Sequence, residues 1–104
     1  MNREELNQIA MQVILNAGNA RTILNEVIED LENDCDKEII NKKLKEANDY
    51  IVKAHKMQTK VIQGTVTDES FIPDLLFIHA QDTLMTINSE LNITKYIVKL
   101  WNKK

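Results

Sequence analysis

An all-α fold, an up-down-up antiparallel three-helix bundle, is predicted by two features of the 104-residue sequence. Breakers are scarce: two glycines and one proline leave room for very few turns. Apolar residues also recur in steps of four and three along three separate stretches, the spacing that keeps one face of a helix buried. Helices of about 27 residues span roughly 40 Å each, and short connections between them make neighbours antiparallel. The bounds read as roughly 3–32, 35–63 and 71–100, within a single domain covering 1–104.

The first helix opens on Asn2 with Glu5 three residues later, a capping-box spacing. Its stripe then runs Leu6, Ala10, Val13, Ala17, Ala20, Leu24, Val27, Leu31, widened by Ile9, Ile14, Ile23 and Ile28. Gly18 falls in mid-helix at a cost of roughly 1 kcal/mol against alanine, which points to a close approach by another helix. Asp34 and Asp36 are both candidate caps for the second helix. That helix carries Ile40, Leu44, Ala47, Ile51, Ala54, Gln58 and Val61, and is expected to end at Gly64. Ser70 is the expected cap of the third helix, with Pro73 inside its first turn.

The third helix carries two stripes. One is apolar throughout: Phe77, Ala80, Leu84, Ile87, Leu91, Val98. The other runs Leu75, His79, Asp82, Thr86, Ser89, Ile93, Tyr96, Leu100, apolar at its ends and polar in the middle. A lone bundle would leave this second stripe facing water, more apolar surface than a monomer ordinarily exposes, so copies of the chain are expected to associate through it. The heptad spacing does not choose between two and three subunits.

Composition narrows the function. Thirteen basic and sixteen acidic residues give a formal charge of -3, which argues against a nucleic-acid partner. The single cysteine, Cys35, rules out an internal disulfide framework and suits a reducing compartment. No apolar run reaches the length of a membrane span and Met1–Glu5 lacks a signal-peptide profile, so the expected location is cytoplasmic. Chemistry concentrates at His79 and Asp82, which lie one helical turn apart on one face. On spacing alone, His79 is either a core histidine bonded to Asp82 or an imidazole left free to react, and Asp82 equally suits a register-setting role in a coiled seam. Met11, Met57 and Met85 read as gap-fillers, with Met85 and Ile78 also flanking His79 as a rim on which partners could dock.

The string His79-Ala80-Gln81-Asp82, followed by Leu84-Met85-Thr86, resembles the signature of the lactose/cellobiose (diacetylchitobiose) family of IIA components of the bacterial phosphoenolpyruvate-dependent sugar phosphotransferase system. Asn16-Ala17-Gly18-Asn19-Ala20-Arg21 and Ala54-His55-Lys56-Met57-Gln58-Thr59 are similar to that family's first- and second-helix motifs. The resemblance implies a homotrimer packed through its third helices. It also implies that His79 accepts a phosphoryl group from phospho-HPr on Nε2 and passes it to a cysteine of the IIB component, for uptake of a disaccharide. Asp82 matches an axial carboxylate whose three copies share one divalent cation, with magnesium expected. Thr83 departs from the histidine often found after the aspartate.

A neutral imidazole suits phosphoryl acceptance at neutral pH, and the reaction asks the protein mainly for positioning and charge stabilisation. Three axial carboxylates would repel one another unless a hard cation sits among them or some are protonated. Gln81 is a candidate donor to the phosphoryl group, or an exposed residue beside the seam. Arg21 lies about a further 16 Å along the bundle from the level of His79, too far to clamp the group within one chain. Two alternatives are a helical oligomeric adaptor and a histidine phosphotransfer domain, and the absence of the latter's usual lysine and glycine after His79 weighs against it.

Overall fold

Among the described residues three helices, α1 (Arg3–Glu32), α2 (Lys37–Thr67) and α3 (Leu75–Trp101), make up the fold. The computed structural model describes residues 2–67 and 74–103, the side chains of 65–67 excepted. Its architecture is a rod of 55 × 19 × 18 Å.

Local chemistry sets the helix ends. The Asn2 side chain accepts the Glu5 N–H at 2.8 Å and so starts α1. At the other end the Asp34 N–H donates to the Leu31 carbonyl at 3.3 Å and the Cys35 N–H to the Asp30 carbonyl at 2.9 Å. These paired bonds form a Schellman motif, which needs a left-handed residue, and Asp34 supplies it at φ 53°. Asp36 then caps α2, its carboxylate accepting the Glu38 N–H at 3.1 Å. Of the two aspartates, one turns the chain and the other caps, so α2 begins at Lys37.

Two expected ends are corrected. Gly64 lies inside α2, which continues to Thr67. A glycine stops a helix by taking positive φ, and no glycine here does so. The cap of α3 is Asp74, whose side chain accepts the Phe77 N–H at 2.9 Å, so the helix starts four residues later than a Ser70 cap would place it. Ser70 and Pro73 lie outside the described residues.

Cross-helix bonds establish the topology. Arg3 meets Asp74 and Arg21 meets Glu90, so α1 and α3 run parallel. Asn16 meets Met57 and Asp30 meets Lys43, so α2 runs against α1. Asp30, by hydrogen bond first and charge second, with Glu26 adding to it, holds the Lys43 pKa above 10.5. The helix α1 packs along both others, whereas α2 and α3 contact each other far less.

The α1 stripe is buried from Leu6 to Leu31, and Ile40, Ala47, Ile51, Ala54 and Val61 of α2 meet it. The apolar stripe of α3, Phe77 to Val98, completes the core. Each large apolar side chain buried there contributes roughly 1.5–3 kcal/mol. Asn16 and Gln58 interrupt the core, the former bonding the Gln12 carbonyl at 2.8 Å and the latter keeping an unpartnered Oε1. Gly18 does not serve a close approach within the chain, since a Cβ there would meet nothing within 4 Å. Met57 packs against the core, but Met11 and Met85 are exposed and fill no gap.

Candidate functional site

The candidate site lies near the start of α3. Asp74 accepts the Phe77 N–H, and Arg3 of α1 approaches the Asp74 carboxylate at 3.5 Å. These contacts fix the first turn of α3, and His79 follows on the second. The buried Phe77, Ala80 and Leu84 turn one side of that segment into the core, which directs His79 and Asp82 outward.

His79 and Asp82 are both exposed, and Gln81 is half-buried. Among the described residues no hydrogen bond joins His79 to Asp82, so the reading of His79 as a core histidine tied to that carboxylate is not borne out by the geometry. The imidazole stands on a face with Leu75 (80% exposed), Ile78, Met85, Ile93 and Leu100 (67% exposed). That uncovered apolar stripe is the one expected from the sequence. The Thr83 hydroxyl donates to the His79 carbonyl at 2.9 Å.

Antiparallel pairing of Asn16 with Met57 puts Ala10, six residues earlier, beside Gln63, six residues later. The pairs Arg3–Asp74 and Arg21–Glu90 set His79 level with residues 8–10 of α1, so on α2 its level is close to Gln63. Arg21 is engaged away from the site, forming a two-pronged pair with Glu90 at 2.9 and 3.0 Å. Glu90 is eleven residues past His79, about 16 Å along the helix. The acidic residues Glu26, Glu29, Glu32, Asp34 and Glu38 gather around the α1–α2 turn at the opposite end of the rod.

Sequence reasoning missed three contributors near this end. Asp74 was overlooked because Ser70 is an equally good cap by residue type. Asn7, on α1 close to the level of His79, keeps a buried Oδ1 without a partner, and nothing in its spacing announces it. Thr83 registered only as a departure from a motif, although a threonine four residues after His79 is a sequence signal for a bond to that carbonyl. Within one chain, no group of three or more His, Cys, Asp or Glu among the described residues could hold a metal ion. No helix among the described residues is long and apolar enough to cross a membrane.

Comparison with known proteins covers nearly all of the chain. Residues 8–102 match the family described as the PTS system, lactose/cellobiose-specific IIA subunit. The lichenan-specific phosphotransferase enzyme IIA component of Bacillus subtilis (strain 168) is 37% identical over 100 residues, 96% of this chain and 90% of that protein. A crystal structure of PtcA from S. mutans superposes with a TM-score of 0.90 at 34% identity, covering 98% of this chain and 99% of that one. The cellobiose-specific enzyme IIA of Bacillus anthracis gives a TM-score of 0.85 at 30% identity, covering 99% and 92%.

Proposed function

This chain belongs to the lactose/cellobiose-specific IIA family of the phosphotransferase system, whose members are phosphoryl-carrying phosphotransferase components, and from that premise we propose that His79 is its carrier residue. The observation that supports this most directly is the exposed imidazole of His79, without a side-chain partner among the described residues and held on a helix whose other face is locked into the core. In this reading the Nε2 lone pair of His79 forms the bond to phosphorus as the donor's bond breaks. The group then leaves for a cysteine of the IIB component by the reverse step. HPr is the donor, Ile78 and Met85 form the apolar rim against which both partners dock, and the work takes place in the cytoplasm. Gln81, two residues after His79 and half-buried, is a donor to the phosphoryl oxygens in this reading. Relatives are named for lichenan, lactose, cellobiose and diacetylchitobiose, and we place this chain's sugar in the disaccharide class.

The uncovered stripe of α3 is the assembly surface of a homotrimer in this proposal. Leu75, Ile93 and Leu100 then become buried, which removes apolar surface that a single chain leaves in water. The trimer also gathers three Asp82 carboxylates. Asp82 is exposed, without a partner and in no metal-holding group among the described residues, which fits a cation shared between copies better than one held within a chain. All-oxygen donors suit magnesium or another hard divalent ion, which when bound would neutralise the carboxylates' mutual repulsion.

Intact mass tests the carrier role. After incubation with phosphoenolpyruvate, enzyme I and HPr, one acid-labile phosphoryl group per chain is expected, and none on His79→Gln. A folded wild-type chain that gains no mass would instead favour the helical adaptor.

A further inference from the structure

The hydroxyl of Thr83 has no part in the reading above. It donates to the His79 carbonyl at 2.9 Å, and the residue is half-buried at the edge of the uncovered face. Thr22, Thr59 and Thr94 make the same bond to Gly18, His55 and Glu90, so the bond alone is ordinary helix behaviour. What distinguishes Thr83 is the side chain of the residue it bonds. Four positions earlier stands an exposed imidazole with no partner among the described residues, on the face where the chain leaves its apolar surface open, whereas His55 is half-buried.

Residues four apart on a helix have Cβ atoms about 5–6 Å apart, and helical side chains lean toward the N-terminus. The Thr83 hydroxyl therefore leans toward His79. Its present acceptor does not depend on it, because the His79 carbonyl also takes the main-chain N–H of Thr83 in the helical ladder. A phosphoryl oxygen is a charged acceptor, and such bonds are roughly twice as strong as neutral ones. Exchange of carbonyl for phosphoryl oxygen thus runs downhill and leaves no backbone group orphaned.

Resting on the carrier reading of His79, we propose that Thr83 is a phosphoryl ligand: when Nε2 is phosphorylated, Thr83 Oγ1 turns from the carbonyl and donates to a phosphoryl oxygen. In the transfer, the Nε2 lone pair makes the new bond to phosphorus, and the electron pair of the broken bond returns to the donor. The hydroxyl keeps its proton throughout. Thr83 thereby supplies at this position, with a neutral group, a contact that stabilises the loaded carrier.

The test is the phosphoryl equilibrium between HPr and the full chain, read by intact mass for wild type, Thr83→Val and Thr83→Ser, each checked for helicity. Thr83→Val is expected to shift the equilibrium toward unloaded carrier by about five- to tenfold, the difference between a charge-assisted hydrogen bond in the loaded chain and the neutral carbonyl bond it replaces, both of which valine lacks. Thr83→Ser, which keeps the hydroxyl, is expected to hold the wild-type value. A purely structural back-bond would alter stability and leave this equilibrium alone. An unchanged equilibrium in Thr83→Val overturns the proposal, as does an equal shift in Thr83→Ser. No phosphoryl group on the wild-type chain would overturn the carrier reading, and this inference with it.

Discussion

The two faces of α3 share large apolar residues yet do opposite things. The inward face, Phe77, Ala80, Leu84, Ile87 and Leu91, is sealed by α1 and α2 and contains no ionisable group. The outward face carries comparable apolar residues, Leu75, Ile93 and Leu100, yet a single chain leaves them in water. Both ionisable residues of the candidate site, His79 and Asp82, lie on that outward face. Burial within the chain thus secures the helix, and the ionisable groups of the candidate site sit where burial is unfinished. A histidine on the inward face would have been desolvated and unreachable.

Breaking the inward face should have the largest effect. Leu84 is fully buried, so Leu84→Ala is expected to lower unfolding free energy by about 2–5 kcal/mol. Urea titration checks this, and a loss under about 1 kcal/mol would mean that the neighbouring side chains close the gap. On the outward face, Ile93 is 55% exposed in the single chain. Ile93→Glu should leave helicity and the fold of each chain intact but reduce the mass in sedimentation equilibrium from trimer to monomer. Persistence of the trimer would remove this face as the assembly surface. The smallest effect is expected at Asp82. If three copies share a cation, a chelator at neutral pH should lower the wild-type melting temperature by a few degrees and leave Asp82→Asn unmoved. Equal responses would count against a metal there.

The apolar stripes were readable from the sequence because burial imposes a period on residue type, and every position of the α1 stripe proved buried. Helix ends were harder, because they depend on which of several suitable residues wins. Asp34 and Asp36 look alike in the sequence, and only the backbone shows one at positive φ and the other as a cap. Gly64 permits a stop without requiring one, and Asp74 competed with Ser70 on equal terms. At the site, spacing placed His79 and Asp82 on one face but left open whether they bond each other, because residues three apart can do so only in certain rotamers. Asn7 was invisible for a different reason: its orphaned oxygen is a property of what surrounds it, and no pattern along one strand of sequence encodes that.

The unequal packing of the helices bears on the order in which the chain assembles. Only residues 33–36 separate α1 from α2, and their contact is extensive, so closing that hairpin loses little loop entropy. The helix α3 finds its main partner in α1, at the far end of the sequence, and little in α2. Synthesis from the N-terminus delivers the hairpin first, with the template for α3 already formed. The helix that bears His79 is then the last to dock.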